Sequence, residues 1–192
     1  MFLITGCGRS GTVYMSKVLN RAGLRVGHER AGEDGAVSPI WVVGGKHYPR
    51  YHQQGQRPEF DLVLHQVRHP LQAIASLTTT MPSSWKWLAK HVPICLEDHV
   101  VQLAAEFWLY WNLLAQGASE YMYRIEDLEQ AWPRIRQLTG AKGPYGDAVE
   151  GIPKDTNKRS HRVLTWHEIE SATPLAGAIR RLAKQYGYRE AE

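Results

Sequence analysis

At 192 residues the chain fits one domain spanning residues 1–192, and 43% hydrophobic residues with seven tryptophans suffice for a substantial core. The 23 basic and 19 acidic side chains leave a net charge of only +4, with no lysine or arginine block, which argues against a nucleic-acid-binding tail. Two cysteines without C-x-x-C spacing, Cys7 and Cys95, argue against a disulfide framework or a cysteine-based zinc site and fit a reducing compartment. No apolar run reaches the ~18 residues needed to cross a bilayer. The nearest, residues 100–115, is broken by Gln102, Glu106 and Asn112. Met1 leads directly into the first predicted strand without a targeting segment. The expectation is a cytoplasmic protein with no stable membrane insertion and an open oligomeric state.

Residues Phe2–Thr5 read as a strand, Gly6–Thr12 as a glycine-rich turn, and Val13–Ala22 as a helix with Met15, Val18, Leu19 and Ala22 on one face. Gly23 closes that helix, and Leu24–Val26 reads as a second strand ending at Gly27-His28-Glu29. From Arg30 to Glu59 the pattern dissolves, apart from an apolar island at Ile40–Val43, and a loop of that length suggests a binding segment. Asp61–Val67 is the third predicted strand. It empties into Arg68-His69-Pro70, where proline suits a first helical turn, and Leu71, Ile74, Ala75 and Thr78 follow at helix spacing.

Thr79–Glu97 reads as a short helical excursion or lid, and Asp98–Gln116 as an amphipathic helix whose Phe107, Trp108, Tyr110 and Trp111 belong to the core. Tyr121–Ile125 and Asp127–Thr139 form a further strand and helix, and residues 141–161 a loop. Thr165 and Glu168 make a capping-box signature for the terminal helices, up to about Tyr186. Alternating strands and helices define an α/β fold on a mostly parallel sheet. Ligands gather at the carboxyl ends of such strands.

The first turn carries the chemistry. Three glycines let successive N–H groups face one concavity, and the helix opening at Thr12 adds its positive dipole end. Gly6 and Gly11 have the spacing of the nucleotide-hydrolysing loop G-x-x-x-x-G-K-[ST], but Thr12 stands where the lysine belongs and the cation lies inside the loop, at Arg9. The third strand ends in Gln66-Val67-Arg68, not in the aspartate that holds magnesium in such hydrolases. Arg68, with Ser76 two turns into the next helix, offers a guanidinium and a hydroxyl to a second phosphate; alone, Arg68 is equally a surface cation or a partner for Asp61.

Together these residues resemble the sulfotransferases that use 3′-phosphoadenosine 5′-phosphosulfate (PAPS). Gly8-Arg-Ser-Gly-Thr12 is similar to their 5′-phosphosulfate loop in its arginine-bearing form. Arg68-His-Pro-Leu-Gln-Ala-Ile-Ala-Ser76 resembles their 3′-phosphate motif, and Tyr123-Arg-Ile-Glu-Asp-Leu128 their strand-to-helix junction. The likeness runs from Met1 to Thr139. It implies a P-loop NTPase-like three-layer fold with PAPS as donor and no metal. Gly8, Arg9, Ser10, Gly11 and Thr12 would hold the phosphosulfate, Tyr14 would stack on adenine, and Arg68 and Ser76 would hold the 3′-phosphate. The two cations would then occupy separate pockets at opposite ends of one nucleotide. Among Lys158, Arg159 and Arg162, some would close over the 3′-phosphate, although the R-K-G-x-x-G motif of the aryl and steroid enzymes is missing.

The resemblance implies transfer of a sulfuryl group to a hydroxyl of a small-molecule, glycan or lipid acceptor. Arg9 and the loop amides would stabilise the leaving group. A base would come from Glu29 or His28. Strand alternation sends these two to opposite faces, so one alone should reach the substrate, and Glu29 is favoured over its alternative as an ion-pair partner of Arg25 or Arg30. Glu126 and Asp127 would be structural, and the spacing His65-x-x-x-His69 spans a strand end, not a metal-binding helix. Trp41, Tyr48, Trp85 and Trp87 either stack on an acceptor or simply pack. The alternatives are a P-loop kinase for a small metabolite and a non-catalytic nucleotide-binding protein of the same fold.

Overall fold

The computed structural model describes residues 1–43, 58–157 and 159–189. Five strands, β1 (Phe2–Thr5), β2 (Val26–His28), β3 (Gly35–Val37), β4 (Leu62–Val67) and β5 (Tyr121–Arg124), form a sheet of order β2-β3-β1-β4-β5 in which every pairing is parallel. β1 is the centre, with Leu3 opposite Ala36 on one side and Val63 on the other. Its continuous apolar run follows from that position, because a central parallel strand is covered on both faces.

Among the described residues eight α-helices cover the sheet: α1 (Thr12–Arg21), α2 (Pro70–Leu77), α3 (Pro82–Leu88), α4 (Val100–Ala118), α5 (Leu128–Thr139), α6 (Tyr145–Val149), α7 (Trp166–Ala172) and α8 (Ala176–Gln185). The pleat sorts them into two outer layers. Phe2, Ile4 and Leu64 join a core with Met15 and Leu19 of α1, Trp132 and Ile135 of α5, and Ala148 of α6. Leu3, Val63 and Val67 point the other way, into a core with α2, α3, α4, α7 and α8. The result is a three-layer α/β fold. Among the described residues no helix is long and apolar enough to cross a membrane.

α4 is the beam of the second core. Phe107, Trp108 and Trp111 of the expected stripe are at most 2% exposed, while Tyr110 is only partly buried against them, and truncating a fully buried aromatic to alanine costs roughly 3–5 kcal/mol. Trp85 and Trp87, open between stacking and packing in the sequence, are buried against Phe107 and Trp111. Trp41 is buried beside Phe60, and Tyr48 lies outside the described residues. α3 is therefore a wall of the core. α7 begins as expected: Thr165 Oγ1 accepts the Glu168 N–H while the Glu168 carboxylate accepts the Thr165 N–H at 2.8 Å.

Three elements differ from the sequence reading. The second strand lies at Val26–His28, two residues later than expected. β3 stands inside the stretch read as loop, where glycine and alanine give little strand propensity, and β1 on one side and β2 on the other hold it in place. Residues 145–149, also read as loop, form α6 and pack on α1.

Candidate functional site

The carboxyl ends of all five strands meet at one cavity of about 760 Å³, where an open parallel sheet collects its ligands. Its centre is the turn between β1 and α1. A Cβ at Gly6 would lie 2.1 Å from the Gln66 carbonyl oxygen, so only glycine lets the turn press against β4. Gly11 is left-handed at φ 88° and precedes α1 without a side-chain cap. Gly11, Thr12, Val13 and Tyr14 line the cavity, so the first amides of α1, which have no acceptors within the helix, face it with the positive end of the dipole.

Buried polar contacts fix the turn. Gln66 Nε2 donates to the Ser10 carbonyl at 2.6 Å, and its Oε1 accepts from Tyr123 Oη at 2.7 Å. Arg68 Nη1 donates to the Arg9 carbonyl at 3.1 Å, and Nη2 to Gln72 at 3.1 Å. Arg9 Nε donates to Ser76 Oγ at 2.9 Å, and Nη2 to the Asn157 carbonyl at 3.2 Å. Arg159 reaches the same cavity, its Nη1 donating to the Thr79 carbonyl at 2.8 Å. Burial, then the charges of Arg159 and Arg68, lower Arg9 to about 10. Burial lowers Arg68 as well, against the pull of Glu126.

Among the described residues none of these three guanidiniums forms an ion pair with a carboxylate. Three cations facing one cavity in this way is the electrostatic outline of an anion site. Arg9 and Arg68 do not define separate pockets: Arg9 touches Ser76, Arg68 touches Arg9, and the two expected anion sites form one continuous cluster. Asp61, considered as a partner for Arg68, instead pairs with the N-terminal amine.

Gly8, Arg9, Gly11, Thr12, Tyr14, Arg68, Ser76 and Arg159 all line the cavity. Ser10 does not. It is fully buried, and its hydroxyl (2.6 Å) and N–H (3.2 Å) both donate to the Cys7 carbonyl, so it has no donor turned to a ligand here. Arg162 pairs with Glu168 of α7, and Lys158 lies outside the described residues. Burial, and then the neighbouring Tyr145 of α6, push the Tyr14 phenol up to about 12.

At the β2 end both His28 and Glu29 line the cavity, contrary to the expected alternation. Glu29 takes φ 54°, which breaks the strand's two-residue period immediately after His28. Arg25 pairs with Glu33 and Asp34 instead of Glu29. His28 Nε2 lies 3.1 Å from Thr12 Oγ1, and burial lowers its pKa against the opposing charge of Glu29. Among the described residues Arg9, Glu29 and Asn157 are the non-glycine positions at positive φ, and all three line the cavity. Strained backbone of this kind gathers at functional sites.

Glu126 ties the strand ends together, accepting the His69 N–H at 2.8 Å and Tyr188 Oη at 2.9 Å, while Asp127 pairs with Arg124. His65 Nε2 bonds Asn112 Oδ1 at 3.0 Å inside the core, and no group of potential metal ligands occurs among the described residues. Gln66, Asn157 and Tyr145 escaped the sequence reading. Gln66 had a usable signal, an amide beside His65 in a strand whose other residues are apolar; the other two lie in stretches without periodicity. Comparison of the chain with protein-family models and with curated proteins gave no match to either.

Proposed function

We propose that this protein is a PAPS-dependent sulfotransferase on a P-loop-like fold, acting in the cytoplasm on the hydroxyl of a small-molecule, glycan or lipid acceptor. The observation that carries this reading is the convergence of Arg9, Arg68 and Arg159 on the cavity at the start of α1. A bisphosphorylated nucleotide fits such a donor set, because each phosphate needs cationic or N–H partners and the cluster offers both. Arg9, Thr12 and the first amides of α1 would hold the 5′ side, Arg68, Ser76 and Arg159 the 3′-phosphate, and Tyr14 with Tyr145 the base.

When bound, the donor supplies an activated sulfuryl group whose departure leaves negative charge on the nucleotide phosphate. Arg9 remains protonated near neutral pH even at about 10, and with the α1 amides it would meet that charge. Glu29, lining the cavity at the end of β2, would take the acceptor's proton. A kinase is less well served: Thr12 and Val13 replace the lysine and the metal-holding hydroxyl of the hydrolysing loop, and β4 ends without an aspartate.

Adenosine 3′,5′-bisphosphate should raise the melting temperature well beyond ATP with magnesium. Radiolabelled PAPS should transfer sulfate to a member of a hydroxylated acceptor panel. Glu29→Gln should lower that transfer by about 10²-fold or more while keeping the nucleotide-induced stabilisation. Stabilisation by ATP–magnesium equal to or greater than that by the bisphosphate would overturn the donor assignment in favour of the kinase. Nucleotide binding with no transfer to any acceptor would favour a binding protein.

A further inference from the structure

We infer that His28 is a positioning residue for the hydroxyl of Thr12, deciding whether that hydroxyl donates into the cavity or back onto the imidazole. Thr12 is the first residue of α1, follows the left-handed Gly11, and is 7% exposed. Its Oγ1 lies 3.1 Å from His28 Nε2, and both residues line the cavity.

A hydroxyl has one proton, and an imidazole nitrogen either donates or accepts. If Nε2 is bare, the Thr12 proton satisfies it, and Oγ1 turns lone pairs toward the cavity. If Nε2 carries hydrogen, it donates to Oγ1, and the hydroxyl proton is released toward the cavity beside the amides of α1. An anion there is repelled by the first arrangement and held by the second, so anion binding selects the Nε2–H form. Burial lowers the ring's pKa against the pull of Glu29, which favours the neutral ring and makes the tautomer the variable. With Nε2 committed to Thr12, the base role falls to its neighbour Glu29.

The inference needs an anion at the first turn; the nucleotide reading names which anion. The test therefore uses two probes on the full chain, adenosine 3′,5′-bisphosphate and inorganic pyrophosphate. Nitrogen-15 NMR of the histidine rings, with His28 assigned from the His28→Gln spectrum, should find the ring in the Nε2–H form once either probe saturates the site. His28→Phe, which cannot donate, should weaken pyrophosphate binding about 5- to 10-fold, the size of one hydrogen bond. His28→Gln, whose amide nitrogen falls near the position of Nε2, should restore most of it. The penalty should vanish in a Thr12→Val background.

A bare Nε2 in the saturated protein, or the same His28→Phe penalty with and without Thr12, overturns the inference. Pyrophosphate that sets the Nε2–H form while the bisphosphate fails to bind supports it and overturns the nucleotide reading. Failure of both probes to bind overturns the two together.

Discussion

The floor and the roof of the cavity are built differently. In the floor, residues 6–12 are tied to β4 and β5 by Gly6 against the Gln66 carbonyl and by buried bonds from Gln66 to Ser10 and Tyr123, and to the end of β4 by a half-buried bond from Arg68 to the Arg9 carbonyl. The roof, residues 154–157 and 159–161, is largely exposed and meets the floor side through the Asn157 carbonyl on Arg9 and through Arg159 on Thr79. A ligand entering the cavity finds the floor's groups already oriented, so their interaction energy is realised almost in full. The roof's exposed side chains lose rotamer freedom on gripping a ligand, and part of their contribution goes to that cost.

The largest test of this contrast is Arg9→Ala. In the proposed enzyme it should lower transfer by about 10²–10³-fold, the effect of removing one preorganised donor from a developing charge. Arg68→Ala should weaken adenosine 3′,5′-bisphosphate by about 10- to 100-fold, as for loss of a charge-assisted contact. A roof-sized effect from either would show that the floor is not preorganised.

Next in size are two stability tests beneath the floor. Gln66→Leu leaves the Ser10 carbonyl and the Tyr123 hydroxyl without their partner and should cost about 1–3 kcal/mol in urea unfolding. His65 is held by burial at about 4, below its ordinary 6.5. The unfolded chain therefore binds the extra proton between these values, and stability is lost as pH falls from 6.5 toward 4. The loss from pH 7 to pH 5 should be on the order of 2 kcal/mol. His65→Gln should flatten that slope, and an unchanged slope would refute the assignment.

The smallest effect belongs to the roof. Arg159→Ala should change stability by less than about 0.5 kcal/mol, as exposed substitutions do. It should weaken the bisphosphate by only about 2- to 5-fold, part of its contact energy going to ordering. A loss matching that of Arg68→Ala would erase the distinction between floor and roof.

The same contrast explains what the sequence revealed. The floor is local: strand, glycines, cation and helix follow one another in residues 2–22, and Arg68 with Ser76 sits eight residues apart on α2 and its approach. β1, α1, β4, α2, α4 and α5 were legible for that reason, through apolar runs and helical periods. β3 was hidden because Gly35 and Ala36 owe their strand conformation to the neighbouring strands. Ser10 looked like a ligand donor by type, yet the Cys7 carbonyl takes both its donors, a choice made by the turn's backbone geometry. Glu29 reached the cavity beside His28 because its positive φ defeated an alternation that the sequence alone would enforce. The merging of the Arg9 and Arg68 sites follows from β4 lying directly beside β1, an adjacency set by sheet order.

The most direct test of the central claim, that one cationic cluster holds a single bisphosphorylated nucleotide, is calorimetric titration with adenosine 3′,5′-bisphosphate. Wild type should bind one equivalent, and Arg9→Ala and Arg68→Ala should each lose about 10-fold or more in affinity. Binding that is indifferent to both substitutions, or a stoichiometry of two with each substitution removing a different equivalent, would contradict it.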